Sequence, residues 1–160
     1  MGIKKYQDRI IYQIYPKSFR DSNGDGIGDL RGIIGKLEYL KDLGVNTIWL
    51  NPIFVSPQID NGYDVSNYYA LDEKMGTLHD FDEFVETAHS LGLDVILDFV
   101  MNHTSDKHPW FKDAIANERS LYRDYYLWAK GKDGKLPNNW GSFFGGSVWE
   151  KDPQADDVYY

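Results

Sequence analysis

From Ile10 to Tyr15 the chain reads Ile10-Ile11-Tyr12-Gln13-Ile14-Tyr15, apolar throughout except for one uncharged amide, and it stops at Pro16. That pattern predicts a buried strand. A run rich in Gly and Asp follows, and from Leu30 the apolar positions Ile33, Ile34, Leu37, Leu40 and Leu43 keep helical spacing. Asp29 suits the N-cap of this helix and Gly44 its C′ stop, so a single helix is predicted across Leu30 to Leu43. A second strand is expected at Val45 to Leu50. A second helix spans Leu78 to Leu91, with Phe81, Phe84, Val85, Ala88 and Leu91 on one face, Thr77 before it and Gly92 after it. The third strand reads Leu93 to Val100. This βαβαβ order, with strands too continuously apolar to carry a wet face, predicts an α/β fold with a parallel sheet covered by helices.

The loops are unequal. Each helix-to-strand turn is close to a single glycine, Gly44 or Gly92, while the strand-to-helix connections are long, Pro16 to Asp29 and Asn51 to Thr77. Long loops therefore collect at the carboxyl ends of the strands, the edge at which parallel α/β proteins bind and react. After Val100 the pattern dissolves into a polar, aromatic and glycine-rich stretch, with short helices predicted near Pro109 to Asn117 and Leu121 to Trp128. A stretch of that length is too long for a loop and reads as an inserted subdomain. The last residues, Asp157 to Tyr160, are strand-like.

Composition narrows the partners. The 160 residues carry a formal net charge of −8 and no cysteine. No basic stripe is available for phosphates or an anionic membrane, and neither a disulfide framework nor a thiolate zinc site is open to the chain. The polar start, Met1 to Asp8, has no apolar secretory stretch, so the cytoplasm is the expected compartment. Aromatic residues make up 16% of the chain, an excess that serves packing or the stacking of sugar rings.

Three segments carry candidate chemistry. The first is Asp21-Ser22-Asn23-Gly24-Asp25-Gly26-Ile27-Gly28-Asp29, where oxygen side chains alternate with glycines and can wrap one hard cation, calcium before others. An EF-hand is excluded, because its twelfth position would be Gly32 rather than Glu and a strand precedes it. A dinucleotide loop is excluded by Asp29 and by the repulsion of three aspartates for a pyrophosphate. A solvated Asp/Gly turn without an ion stays open. In the second segment, Asp60-Asn61-Gly62-Tyr63-Asp64, an acid and a ring stand three residues apart, suited to vicinal hydroxyls and a sugar face, or to a plain Asn-Gly turn. The third, Asp98-Phe99-Val100-Met101-Asn102-His103, sets an acid within an apolar strand, where it requires a cationic or hydrogen-bonding partner. His103 could donate to a substrate hydroxyl or be an ordinary packed histidine. Paired with His108 its spacing suits no metal.

Gln13 to Phe19 with the Asp21 to Asp29 loop, Asp60 to Asp64, and Asp98 to His103 with Thr104-Ser105-Asp106 together resemble glycoside hydrolase family 13, most closely its oligo-1,6-glucosidase and α-glucosidase branch. The resemblance implies the first three βα units of a (β/α)₈ TIM barrel in residues 1–103 and the beginning of an inserted domain B in 104–160. It implies a structural calcium held by Asp21, Asn23, Asp25, the Ile27 carbonyl and Asp29. Asp60, Tyr63 and His103 match the residues that grip a non-reducing glucose, and Asp98 matches an acid that supports the site through an arginine. The nucleophile and general acid of the family fall after later strands, so the resemblance implies a fragment, inactive alone, of a retaining enzyme that acts on α-glucosidic bonds of short oligosaccharides. A monomer is expected. Within the family, trehalose-6-phosphate hydrolase and sucrose isomerase are alternatives: Ser56 to Asp60 and Phe144 to Ser147 are similar to the former, the acidic loop at Asp21 to oligo-1,6-glucosidases. A non-catalytic sugar- or calcium-binding module is the reading from another class.

Overall fold

The computed structural model describes residues 6–160, so the first five residues of the polar start lie outside it. Contacts divide the chain into one unit ending at Ser105 and another from Asp106 to Tyr160. In the first, β1 (Ile11–Ile14), β2 (Thr47–Leu50) and β5 (Asp94–Leu97) form a parallel three-stranded sheet in the order β1-β2-β5. Ile14 lies opposite Leu50, and Leu50 opposite Leu97. Successive residues of a strand point to opposite faces. Ile14, Ile48 and Leu50 are therefore buried against Leu30, Ile33, Leu37, Leu40, Phe84 and Ala88 of the helices, while Gln13, Trp49 and Ile96 share the other face.

The helix predicted across Leu30 to Leu43 is two helices, α2 (Leu30–Ile34) and α3 (Leu37–Asp42). Gly35 and Lys36 interrupt it: Lys36 leaves helical backbone, and its N–H takes the tighter bond to the Ile33 carbonyl at 2.9 Å. Glycine is the weakest helix former after proline, so a break costs least there. Asp29 caps α2 as expected, accepting from the Gly32 N–H at 2.6 Å. In α4 (Leu78–Ser90), Thr77 and Asp80 form a reciprocal capping box, and Asp80 also takes the Arg31 guanidinium of α2 at 2.6 Å. These contacts, with the Thr77 hydroxyl first, hold the Asp80 carboxyl below the usual carboxylate range.

All three sheet strands are shorter than predicted. The N–H groups of Asn46 and Thr47 both donate to the Ile10 carbonyl, so the ladder starts late, and Phe99 and Met101 are already exposed beyond β5. The long connections also hold structure that periodicity did not predict. A four-residue helix, α1 (Pro16–Phe19), begins with proline at its first turn, where the missing N–H costs nothing. Within Asn51 to Thr77, β3 (Phe54–Val55) and β4 (Asn67–Leu71) form an antiparallel pair with an irregular register. The loop after α1 returns close to it. A Cβ on Gly28 would sit 2.1 Å from the Pro16 carbonyl oxygen, and one on Gly32 2.0 Å from that of Arg20. Only hydrogen fits at either place.

The second unit holds α5 (Pro109–Ala116) and a short antiparallel pair, β6 (Ala129–Lys130) with β7 (Val158–Tyr159). In place of the helix predicted near Leu121 to Trp128 there is a single 3₁₀ turn, Arg123–Tyr125. The Trp128 indole donates to the Arg123 carbonyl at 2.7 Å, while the Arg123 side chain reaches the Ala114 carbonyl and Asp152. The indole thus takes a backbone carbonyl that a continuing helix would need. Phe111, Tyr126, Trp128 and Tyr160 pack ring to ring as the unit's centre.

Candidate functional site

Three strands end side by side, and polar residues gather at their carboxyl edge. Gln13 of β1 donates through Nε2 to Asn51 Oδ1 at 2.8 Å, and Asn51 Nδ2 donates to the Tyr63 hydroxyl at 2.8 Å. The Tyr63 hydroxyl donates in turn to Asp98 Oδ2 at 2.7 Å, and the Trp49 indole donates to Asp98 Oδ1 at 3.1 Å. Asp98 thus has the hydrogen-bonding partners its place required. Among the described residues no ion pair involves it. Burial first, and the Asp98 carboxylate second, push the Tyr63 hydroxyl up to about 12, so it stays a donor across the physiological range.

The turn that presents Tyr63 is set by backbone conformation. Asn61 and Gly62 both have positive φ, 53° and 101°, and the Tyr63 N–H closes the turn on the Asp60 carbonyl at 3.0 Å. Asparagine and glycine adopt this pair of left-handed conformations at least cost. The turn is fastened from both sides: Lys17 Nζ donates to Asn61 Oδ1, and Asp64 accepts from the Ser56 hydroxyl and the Ile59 N–H. His103 comes to the same place. Its Nε2 lies 3.1 Å from the Tyr63 carbonyl and its Nδ1 3.1 Å from Asn102 Nδ2. A carbonyl only accepts and an amide nitrogen only donates, so these contacts fit the neutral tautomer with its proton on Nε2. Asp60 is brought in through the turn alone, since no hydrogen bond holds its carboxylate among the described residues.

The acidic loop folds on itself. Asp21 accepts from the N–H groups of Asn23, Gly24 and Gly26, Asp25 from that of Ile27 and from the Asn23 amide, and Asp29 from Gly32 and twice from Ser22. The backbone bonds from Gly26 and Gly24, foremost among its contacts, hold the Asp21 carboxyl below the usual range. A carboxylate offers about four lone-pair sites, so each aspartate retains acceptor capacity, and the loop fits a hard cation in its donor chemistry. Among the described residues no three acidic, histidine or cysteine side chains converge as a metal cluster.

Gln13, Trp49 and Asn51 were not singled out as site residues by sequence pattern. The signal for Gln13 was present, a lone amide in an apolar strand on the face away from the helices.

A parallel βα sheet with an acid, a phenol and an imidazole at its carboxyl edge is the arrangement of a barrel-type α/β protein with its ligand-binding edge exposed. The model of the α-amylase catalytic domain matches residues 13–160, and the chain belongs to that family, glycoside hydrolase family 13. It is 51% identical over 154 residues to an oligo-1,6-glucosidase of Bacillus cereus and 54% identical over 154 residues to the trehalose-6-phosphate hydrolase of Escherichia coli, in each case across 96% of this chain and 28% of the relative. A solved structure of a trehalulose synthase MutB mutant with the substrate sucrose superposes with a TM-score of 0.94 at 49% identity, over 100% of this chain and 29% of that one. The chain therefore spans under a third of the length of these relatives, and its fold is the corresponding portion of a TIM-barrel enzyme.

Proposed function

We propose that the protein to which this stretch belongs is a retaining α-glucosidase-type glycoside hydrolase that removes glucose from the non-reducing end of short α-linked oligosaccharides, isomaltose-type substrates before others. The supporting observation is the meeting of His103 with Tyr63 at 3.1 Å beside Asp98, at the carboxyl edge of the sheet. In this reading the Tyr63 ring stacks on a glucose face and Asp60 accepts from vicinal hydroxyls. His103 exchanges its bond to the Tyr63 carbonyl for one to a sugar oxygen, and Asp98 positions Tyr63. The relatives divide between oligo-1,6-glucosidases and trehalose-6-phosphate hydrolases at similar identity, which leaves trehalose-6-phosphate as the second substrate reading.

Hydrolysis with retention needs two carboxyl groups about 5 Å apart across the scissile bond. Asp98 is committed to Tyr63 and Trp49, and Asp64 to Ser56 and Ile59, so neither is free to act as nucleophile or acid. The reading assigns both of those roles to residues outside this 160-residue stretch and leaves the stretch inactive by itself. It also assigns residues 1–103 to the barrel and 104–160 to an inserted domain, and takes Asp21, Asn23, Asp25, the Ile27 carbonyl and Asp29 as the cradle of a structural calcium. It places the protein in the cytoplasm.

The test is hydrolysis of isomaltose, trehalose-6-phosphate and sucrose by the full-length protein, with the anomer of released glucose followed by NMR. Isomaltose cleavage with α-glucose as first product is expected, and Asp60→Ala or Tyr63→Ala should raise KM at least tenfold. Inverted product, or activity of the 160-residue chain alone, would count against the reading.

A further inference from the structure

We propose that Gln13 and Asn51 are positioning residues that complete a directed hydrogen-bond chain ending on Asp98, and so fix the ring on which the sugar stacks; the inference rests on the reading of Tyr63 as a sugar-gripping residue. Gln13 comes from within β1, Asn51 directly follows β2 and Asp98 directly follows β5.

The direction follows from donor and acceptor chemistry. Tyr63 Oη can give one proton and accept others. Asp98, ionised, can only accept, so the phenolic proton points at Asp98 Oδ2 if nothing competes for it. An asparagine amide in either orientation fits the space beside Tyr63, and with its oxygen turned to the phenol it would compete. Asp98 decides between the two: with its proton given to Asp98, Tyr63 Oη takes Asn51 Nδ2 at 2.8 Å, and Gln13 holds Asn51 in that sense, its Nε2 donating to Asn51 Oδ1, also at 2.8 Å. The phenol is then an acceptor from Asn51 and a donor to Asp98, and the Trp49 indole holds the second Asp98 oxygen. Every member has one consistent role. A hydrogen-bond chain ending on a charged acceptor is stronger than its neutral links alone.

Reversing the first link reverses the choice. In Gln13→Glu the carboxylate accepts from Asn51 Nδ2, and Asn51 Oδ1 turns to Tyr63, where it competes with Asp98 for the one phenolic proton and the phenol loses its donor. In Asn51→Asp two acceptors bracket the phenol. Neither change alters a group that touches sugar. The experiment measures KM, kcat and competitive inhibition by glucose for the full-length protein with Gln13→Glu, Asn51→Asp and Asn51→Leu, each in the native background and in Tyr63→Phe. Loss of one bond to a charged group predicts KM and the glucose inhibition constant about tenfold higher, with kcat within about twofold.

In Tyr63→Phe, which has no phenolic proton to direct, the same substitutions should cost nothing further. Equal cost in both backgrounds overturns the proposal, since it would mark a merely structural contribution. The ionisation pH of Tyr63, read from its ring carbon by NMR and assigned by its absence in Tyr63→Phe, gives a second measure. It should rise in Asn51→Leu and rise further in Asn51→Asp, and an unmoved value also overturns the hydrogen-bond chain. If Tyr63→Ala leaves KM unchanged, the sugar-gripping reading fails while the ionisation shift still judges the hydrogen-bond chain, so the two failures are distinguishable.

Discussion

Tyr63 has a hydroxyl that accepts from an amide, donates to a carboxylate and is half-buried, and the cost of ionising it there should be visible in stability. Its folded-state value, about 12, lies above that of a free tyrosine near 10. The native chain therefore holds this proton more tightly than the unfolded one. Its contribution is full below pH 10 and is lost as pH rises through 12. Urea unfolding of the full-length protein at intervals from pH 9 to 11.5 should show a steeper alkaline loss for the native sequence than for Tyr63→Phe. Parallel curves would mean that Tyr63 ionises as freely in the folded chain as in the unfolded one. Asp60 differs from Tyr63 in being held by a turn alone, which leaves its carboxylate available to a ligand, whereas His103 has one ring nitrogen on the Tyr63 carbonyl and the other on the Asn102 amide.

At the scale of elements, the acidic loop carries its own test. If calcium binds the Asp21 to Asp29 loop in the native state alone, thermal stability must rise with free ion, by about 2.7 kcal/mol at a hundredfold excess over the dissociation constant. Chelation should lower the midpoint of the full-length protein, calcium should restore it, and Asp21→Asn should remove most of the response. A midpoint indifferent to chelator and ion would leave the loop a self-satisfied turn.

Elements differed in how far sequence pattern revealed them. The helix-facing apolar positions, the Asp29 cap and the Thr77 cap were legible, because each depends on nearest neighbours along the chain. The break at Gly35 was not, since helical periodicity of apolar positions continues straight across it. The β3–β4 pair in the long second connection escaped for another reason: only two residues of one strand pair, too few for an alternating pattern to register. At the site, Tyr63 and His103 could be named from their motifs, whereas Asn51 gains its role from Tyr63 and from Gln13, the latter distant in sequence and brought near by the pairing of β1 with β2.

For the whole molecule, the sheet decides behaviour. Helices bury one face, and on the other Ile11 is 49% and Ile96 37% exposed. β1 and β5 are the outer strands of a parallel sheet, and parallel sheets are ordinarily covered on both faces. Edges and faces of this kind attract other chains. The purified 160-residue chain should therefore bind a hydrophobic dye and self-associate at micromolar concentration, and the full-length protein should do neither. A dye-silent monomer in sedimentation of the short chain would contradict this.

The line of hydrogen bonds that joins Gln13, Asn51, Tyr63 and Asp98 draws on every strand of that sheet. A chain leaving the ribosome thus has only a partial version of it: until Asp98 has emerged and taken its place beside Leu50, the phenol lacks its acceptor and the amide lacks a reason to face one way. The ring is then set for a sugar only once the third strand docks, and a sugar bound to the finished protein would act as a clasp that resists peeling that strand from its neighbour.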